Sequence, residues 1–433
     1  MGKKKIIILG GGLSGLSAAW HLQRRGADCR IFEKETEAGG LCRSKKVNGF
    51  TFDHDGHLLH FRHQYTFNLV KNLLGDNITE HQRNSWIYTD HRYNHFPFQA
   101  NLYGLPSAVV KDCLLGFIDS RRNHTTHPKN ENFLHWINST FGKGIARHFM
   151  IPYNSKFWTV PPEKLTCEWL EGFIPIPSLS QLIEGTIQEG KGNLGYNARF
   201  WYPKKGGIAE LSHGLSRQIN NLYTDSPVIS INLKKKEVYT KKTGKEKFDV
   251  LISTIALPEL AKLTVDMAAQ QKLLFRKLRH NSILNINLGI NRQESSKRHW
   301  IYFPESNLSF FRAGFYHNFS SDLVPNGKSS LYAEVSYSKD RPINKSTIVS
   351  QVIKDLKKTG ILLAGDKLLA QDVNDIHYGY PVYDQNYKQT RDKIMEALNS
   401  YDIIPCGRYG NWQYMSMEDA LLDGKKAAEK IKA

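Results

Sequence analysis

A strand, a glycine turn and a helix follow one another at the start of this chain, and nothing else in the sequence limits its fold as much. Lys5-Ile6-Ile7-Ile8-Leu9 reads as a buried strand, Gly10-Gly11-Gly12-Leu13-Ser14-Gly15 as a GxGxxG turn, and Leu16-Ser17-Ala18-Ala19-Trp20-His21-Leu22 as the helix that leaves it. Each glycine answers a different demand. Gly10 permits the tight turn, Gly12 lets the backbone approach a pyrophosphate, and Gly15 lets helix and strand pack closely, while the helix start at Leu13 and Ser14 presents unpaired N–H groups to the anion. A second strand, Cys29-Arg30-Ile31-Phe32, ends at Glu33, 21 residues after Gly12, where an acid would bind ribose hydroxyls; Lys34 follows it at the same edge. The expected fold class is α/β, with a Rossmann-type dinucleotide-binding domain.

Glu33 is followed by Ala38-Gly39-Gly40-Leu41-Cys42-Arg43-Ser44. This second glycine turn with a basic residue resembles the GG motif of FAD-dependent amine-oxidase-like enzymes, which hold the rest of the pyrophosphate and the ribityl chain with it. The resemblance implies FAD, with Gly39, Gly40, Leu41 and Arg43 among its contacts. Pro227-Val228-Ile229-Ser230-Ile231 looks like the strand that returns to the adenine, and Phe248-Asp249-Val250-Leu251-Ile252-Ser253-Thr254 like the strand that closes the FAD domain, which adds Val228 and Ser253. The one other GxGxxG string, Gly190 to Gly195, has no apolar strand-like run before it and no helix-like run after it, so a dedicated NAD domain is not expected.

The FAD domain is therefore expected to be discontinuous, from residues 1–60, 200–260 and 400–433. Apolar periodicity in Phe133-Leu134-His135-Trp136-Ile137 and Gly144-Ile145-Ala146-Arg147-His148-Phe149-Met150 makes 61–199 a mainly helical substrate or cap region. Alternation in Leu284-Asn285-Ile286-Asn287-Leu288-Gly289-Ile290 and Leu331-Tyr332-Ala333-Glu334-Val335 makes 261–399 an antiparallel-sheet substrate region.

Composition narrows the partners. A chain of 433 residues is long enough for roughly two or three domains, which excludes a disordered chain or a disulfide-stapled miniature. Its 59 Lys+Arg against 41 Asp+Glu, a formal charge of +18, would concentrate nucleic acid, a membrane surface or a phosphorylated substrate alike. No basic run is interleaved with aromatics and no zinc-finger spacing occurs, so nucleic acid is not an expected partner. Lys234-Lys235-Lys236 and Lys241-Lys242 read as a solvated hairpin. No stretch approaches the ~20 apolar residues of a membrane helix, and Met1-Gly2-Lys3-Lys4-Lys5 leads straight into a strand. The expectation is a cytoplasmic protein without integral membrane contact. Cys29, Cys42, Cys113, Cys167 and Cys406, an odd number with no CxxC pair, suit reduced thiols.

His54, His57, His60 and His63 recur every three residues and invite a metal site. That spacing aligns ligands only in a helix, and Asp55-Gly56 marks a turn, so no metal is expected.

Phe52-Asp53 through Gly56-His57, His81-Gln82-Arg83, Phe96-Pro97-Phe98-Gln99, Pro152-Tyr153-Asn154-Ser155-Lys156-Phe157-Trp158 and Trp300-Ile301-Tyr302-Phe303-Pro304-Glu305 occur in order, followed by Phe311-Arg312-Ala313, Gly379-Tyr380-Pro381 and Gly407-Arg408-Tyr409-Gly410. Together they resemble UDP-galactopyranose mutases of the eukaryotic-like type. That family uses reduced FAD as a nucleophile: flavin N5 attacks the anomeric carbon, the nucleoside diphosphate leaves, and the opened sugar recloses as a furanose. The resemblance implies that the loop places Gly56 and His57 beside the flavin, that Arg312 binds the diphosphate, and that Arg83 and Arg408 lie near flavin and sugar; these histidine and arginine positions form the expected catalytic set. Asn154 and Trp158 match the sugar pocket, and Tyr302, Tyr380 and Tyr414 surround diphosphate and sugar, with Gln99 in the same pocket. Met415-Ser416-Met417-Glu418-Asp419-Ala420 leads into a C-terminal helix whose start, at Met417 and Glu418, points at the flavin pyrimidine edge in the superfamily, where its dipole would favour anionic reduced flavin.

Departures cluster in the substrate pocket. After Trp169 the family places a mobile diphosphate arginine; this chain reads Leu170-Glu171-Gly172-Phe173-Ile174-Pro175, with Phe173 in its place. Family tyrosines fall on Phe96 and Phe319, and a family asparagine on Glu418. A charge-assisted bond is worth roughly 1.5–3 kcal/mol, so one lost clamp weakens a diphosphate ligand by about an order of magnitude or more. Lys204, Lys205 and Arg199 are candidates for replacement charge.

Two functions stay open. The first is a nucleotide-sugar pyranose/furanose mutase or a close variant on another activated sugar, needing reduced FAD, with NADPH or NADH as transient reductant, in glycan or specialised-metabolite synthesis. The second is an FAD-dependent oxidoreductase removing a hydride from an amine, alcohol or C–C bond. A non-catalytic flavoprotein acting as a binding or membrane-surface module is a third. Family habit adds a homo-oligomer.

Overall fold

The computed structural model describes residues 4–122, 131–170, 173–190, 195 and 198–431. Met1 to Lys3, and Glu171 and Gly172 of the stretch that precedes Phe173, lie outside them.

The glycine-turn strand, Ile6–Leu9, is the middle strand of a five-stranded parallel sheet, flanked by Val250–Ser253 and Cys29–Phe32, with Ile403–Pro405 and Leu222–Tyr223 at the edges. Its four residues are at most 4% exposed, as a parallel strand covered on both faces requires. Helix Leu13–Arg24 leaves the turn and packs on the C-terminal helix Met417–Glu429. Contact there is backbone-close: Ser17 Oγ donates to the Leu421 carbonyl at 2.6 Å, and a Cβ on Gly424 would sit 2.4 Å from the Ser14 carbonyl. The strand expected to return to the adenine, Val228–Asn232, opens an antiparallel meander with Glu237–Thr240 and Gly244–Lys247, and the chain entering it runs beside Glu33, where the Ser226 N–H donates to the Glu33 carbonyl at 2.8 Å. The lysine clusters lie at the two turns of this meander.

The second layer is a seven-stranded sheet in the order 368–381, 280–290, 329–337, 312–314, 300–302, 85–89, 92–95. The expected cap region thus contributes the hairpin 85–95 to it: a strand added beside Trp300–Tyr302 satisfies backbone groups that an edge would leave open. Period-two alternation gives this sheet two unlike faces. Leu284, Ile286, Leu288, Leu331, Ala333 and Val335 face the helix Ile348–Lys358 in one apolar cluster. The opposite face buries Asn285, Asn287, Tyr332 and Glu334, none more than 1% exposed. Its asparagines grip the turn that follows strand Phe50–Asp53: Asn287 Nδ2 donates to the Asp53 carbonyl at 3.1 Å and Asn285 Nδ2 to that of His54 at 3.2 Å. The Asp53 carboxylate accepts from Tyr202 Oη, Ser44 Oγ and the Ile208 N–H at 2.5, 2.7 and 3.1 Å.

The third part is helical: Ser107–Arg122, Phe133–Ile145, a π turn at Ala146–Met150, Ile151–Trp158 and Leu179–Ile187. Gly142, at φ +74°, touches the first of these helices so closely that a Cβ would lie 1.9 Å from the Gly116 carbonyl. Among the described residues no helix is long and apolar enough to cross a membrane.

Candidate active site

Two glycine turns meet at the C-terminal ends of the parallel strands. Gly39 N–H donates to the Gly11 carbonyl at 2.8 Å, and a Cβ on Gly40 would stand 3.1 Å from Gly12 Cα. Gly10 is at φ +95°, and a Cβ on Gly15 would fall 2.1 Å from the Gly10 carbonyl, so the cradle tolerates no side chain at that position. No side chain caps helix Leu13–Arg24 at Gly12, which leaves its first-turn N–H groups available to an anion. Glu33, 6% exposed, ends the second strand and accepts the Gly11 N–H at 2.6 Å and the Glu35 N–H at 2.9 Å. Ser253 ends its strand beside Leu9, fully buried, with no hydrogen-bond partner for its Oγ among the described residues. An open helix end, paired glycine turns, a strand-end acid and an orphaned hydroxyl together fit a dinucleotide such as FAD.

Around this cradle, Arg43 Nε donates to the Gly40 carbonyl at 2.7 Å, and Leu41 is half-buried against Ile283 and Phe311. Lys34 is exposed and pairs with Glu35 at 3.5 Å, a surface arrangement. Val228 lies half-buried in the meander.

Beside the cradle opens a cavity of about 290 Å³. The His57 turn, the helix Ile151–Trp158, the antiparallel sheet and the C-terminal segment enclose it. Of the expected residues, Gly56, His57, Phe96, Gln99, Asn154, Trp158, Phe173, Tyr302, Arg312, Tyr380, Arg408, Tyr414 and Met417 line it. Gln99 Nε2 donates to the Pro175 carbonyl at 2.6 Å, while its Oε1 and the Trp158 Nε1 are buried without partners among the described residues. Asn154 Nδ2 is held by the Met150 carbonyl at 2.8 Å.

Three expected residues stand elsewhere. Phe319 is 1% exposed among Phe200, Tyr202 and Tyr316, a core ring whose missing hydroxyl is no loss to the cavity. Arg83 lies behind the wall, its guanidinium 4.8 Å from the centre of the Phe96 ring. Glu418 turns its carboxylate to the start of helix Gln64–Leu74, accepting the Arg62 and His63 N–H groups at 3.0 Å along with Arg62 Nε and Thr66 Oγ1. An acid there satisfies the amides of the chain entering one helix by leaving the mouth of another. The C-terminal helix is itself capped, Ser416 Oγ accepting the Asp419 N–H at 3.2 Å, so only the N–H groups of Met417 and Glu418 remain for a ligand.

Two arginines supply the cavity's positive charge. Arg408 Nε and Nη2 both donate to the Met415 carbonyl, at 3.0 and 2.5 Å, with the rings of Tyr380 and Tyr414 5.2 and 5.4 Å from the guanidinium. Arg312 gives Nε and Nη2 to the Glu334 carboxylate, the latter at 2.6 Å. Burial alone would weaken the Arg312 charge, but Glu334 more than compensates and holds its pKa above the usual arginine range. Burial lowers His57 to about 4, so the ring is neutral, with Nδ1 3.3 Å from the Asp55 carbonyl. Burial raises Tyr302 and Tyr380, which stay protonated donors. Sequence reasoning missed Asp55, Tyr332, Tyr153, Phe157 and Trp169, which also line the cavity, and Glu334 beneath it. The four recurring histidines run through an irregular loop and the helix cap at His63, and no group of three or more metal-ligating side chains occurs among the described residues.

The family model of flavin-containing amine oxidoreductases matches residues 13–432. A crystal structure of a reduced UDP-galactopyranose mutase superposes with a TM-score of 0.93 at 30% identity, covering 99% of this chain and 95% of that one. A putrescine oxidase bound to putrescine shares the fold at 12% identity, with a TM-score of 0.64 over 99% of this chain and 98% of that one. The zeta-carotene-forming phytoene desaturase of Myxococcus xanthus is 42% identical over 50 residues, 12% of this chain and 10% of that protein. The chain spans between 10% and 47% of the length of the curated relatives it matches.

Proposed function

Because the chain belongs to the flavin-containing amine oxidoreductase family, is a UDP-galactopyranose mutase-like flavoprotein and has FAD as its cofactor, we propose that it rearranges a nucleotide-activated sugar between pyranose and furanose forms, or performs a close variant on another activated sugar, without net redox change. The observation that carries this reading is the convergence of Arg312, Arg408, Tyr302, Tyr380 and Tyr414 in one cavity beside the His57 turn. Such a set suits a diphosphate leaving group rather than an amine or a polyene.

Reduced FAD supplies the nucleophilic nitrogen when bound. The chain's own part is positioning and charge. Arg408, fixed by the Met415 carbonyl and framed by two tyrosines, offers a preorganised cation that needs no reorientation as charge develops on the departing diphosphate. Tyr302 and Tyr380, kept protonated by burial, donate to its oxygens. Asn154 and Trp158 border the sugar end. Phe157, Trp158 and Trp169 exclude water that would otherwise hydrolyse an activated sugar. We place the reaction in glycan or specialised-metabolite synthesis, with NADPH or NADH priming the flavin.

A second reading rests on Phe173, whose ring meets Tyr414 edge-on at 5.0 Å where the mutases have an arginine. An apolar wall there, together with Arg312 already paired to Glu334, favours a substrate with less negative charge and a hydride removal by oxidised FAD. The two readings separate in one anaerobic assay. The protein is reduced with dithionite and given UDP-galactopyranose and a panel of nucleotide sugars. A chromatographic isomer formed only by reduced protein supports the mutase; no conversion, with bleaching of oxidised flavin by an amine, alcohol or alkene, would replace it with the oxidoreductase.

A further inference from the structure

Two buried carboxyl groups stand at one wall of the cavity, Asp55 lining it and Glu334 behind Arg312. Asp55 comes from the turn after strand Phe50–Asp53 and is 7% exposed; Glu334 comes from the middle of strand Ser329–Tyr337 and is fully buried. Glu334 stands directly across from Arg312 on one neighbouring strand and from Asn285 on the other. Both its oxygens accept from Arg312. Asp55 Oδ1 accepts the Gly56 N–H at 2.9 Å; the His54 carbonyl before it is held by Asn285, the cross-strand neighbour of Glu334, and Gly56 after it lies against Tyr332, two residues from Glu334 on the same face, so the two carboxyl groups confront each other. Two carboxylates have only acceptors to offer, so such a contact requires a proton between them. Asn285 Oδ1, on the residue opposite Glu334 and buried without a partner among the described residues, is a further acceptor for an acid hydroxyl.

We propose that Asp55 and Glu334 hold one proton in common at neutral pH, and that this pair is a positioning device: it ties the His57 turn to the Arg312 strand and sets how much of the Arg312 charge the cavity feels.

The surroundings leave few other charges. Tyr153, Tyr302, Tyr316, Tyr332, Tyr380 and Tyr409 face the pair, and burial raises every one, so all are neutral. Burial likewise lowers His54 and His57 to the neutral form, and Asp53, at the other end of the turn, is pushed up to about 6. Arg312 and Arg408 remain as the cations opposing the pair. With its proton the pair carries one negative charge, which offsets Arg312 and leaves Arg408 to act on the ligand. Without it, the second charge offsets Arg408 as well, and an anionic ligand meets a neutral site. Burial raises Glu334 far above an ordinary carboxyl, consistent with retention of the proton.

The pair itself is independent of the proposed reaction; its effect on a diphosphate ligand rests on that reading. The test uses the FAD-loaded protein. Infrared difference spectra between wild type and Asp55→Asn, and between wild type and Glu334→Gln, are taken at neutral pH in water and heavy water. A protonated carboxylic acid band that shifts in heavy water and is lost in both variants is the expected result, because either remaining carboxyl is ionised by Arg312. A band absent from wild type, or surviving in Asp55→Asn, overturns sharing. Should Glu334→Gln fail to fold, Asp55→Asn carries the test. Calorimetric UDP affinity is then followed into alkaline pH: it should fall by about tenfold per pH unit once the pair loses its proton, and flatten in Asp55→Asn whatever its absolute value. An equally steep fall in that variant overturns the role beside Arg312. Absence of UDP binding would reject the mutase reading and leave the infrared result to decide the pair.

Discussion

Arg312 illustrates what one residue discloses before its neighbours are known. The Phe311-Arg312-Ala313 match is enough to bring it to the cavity, but its partner Glu334 lies 22 residues further on and takes two of its donors. A signal existed: in Leu331–Val335, Tyr332 and Glu334 share the face that packs on the glycine-turn domain, and a glutamate buried there needs a cation. Removing one member of such a pair typically costs about 3–5 kcal/mol, because the other is left uncompensated. Arg312→Met should therefore destabilise the protein strongly in urea unfolding, and Arg312→Met with Glu334→Gln should recover most of that loss while UDP affinity stays low. Equal instability of single and double variants would show that the two residues are not coupled. Phe173→Arg restores a cation at the mouth of the cavity, and UDP should bind about tenfold more tightly or better, since a charge-assisted bond contributes roughly 1.5–3 kcal/mol. Unchanged affinity would remove Phe173 from the diphosphate's path.

Among elements, helix Ile151–Trp158 is held in place by a side chain that sequence reasoning passed over. Lys156, 2% exposed, donates Nζ to the Phe303 and Phe310 carbonyls at 2.9 and 3.0 Å, fastening the Asn154 side of the cavity to the hairpin that carries Tyr302 and Arg312. Burial lowers its pKa from 10.5 to about 7. Between those values the unfolded chain binds more protons than the folded one, so this group makes stability rise with pH from about 7 to 10.5. Burial raises Glu305 from 4.5 to about 7, so the folded chain binds more protons in that window and stability falls as pH climbs through it. Melting temperatures across pH should show both limbs; Lys156→Met should flatten the alkaline one and Glu305→Gln the acidic one. A Lys156→Met profile that still rises above pH 7 would contradict the assignment. Two helix starts were legible from glycine or serine chemistry, at Gly12 and Ser416, while the serine cap at Ser178 was passed over. Orientation was not: Glu418 and Phe319 occupy matched positions, yet one serves the neighbouring helix's amides and the other fills a core. Correspondence along the chain transfers a backbone place, while the direction of a side chain depends on partners far away in sequence. For the same reason the hairpin 85–95 read as part of a helical region, because its pairing partner, Trp300–Tyr302, is more than 200 residues distant.

At the scale of the molecule, a parallel sheet, an antiparallel sheet and a helical group close around one cavity, and the cofactor cradle is assembled from both ends and the middle of the chain. The cradle was the most legible part, because close backbone approach leaves glycine little alternative: Gly15→Ala should yield protein that loses FAD on gel filtration, given the 2.1 Å its Cβ would have from the Gly10 carbonyl. Retention of stoichiometric flavin by that variant would refute the tight-packing account. The antiparallel sheet was legible as strands, but not as a layer with a wholly buried polar face, since alternation reports periodicity and not what covers each side. The central claim, that this enclosure breaks and remakes a sugar–diphosphate bond with no net redox change, is tested most directly by positional isotope exchange. UDP-galactopyranose carrying oxygen-18 between the anomeric carbon and the β-phosphate is incubated anaerobically with the FAD-loaded protein. The account predicts that label moves into the non-bridging β-phosphate positions with dithionite-reduced protein, that none moves with oxidised protein, and that the flavin ends in the state in which it began. Label that stays in the bridge under both conditions, for this sugar and the other nucleotide sugars tried, would contradict it.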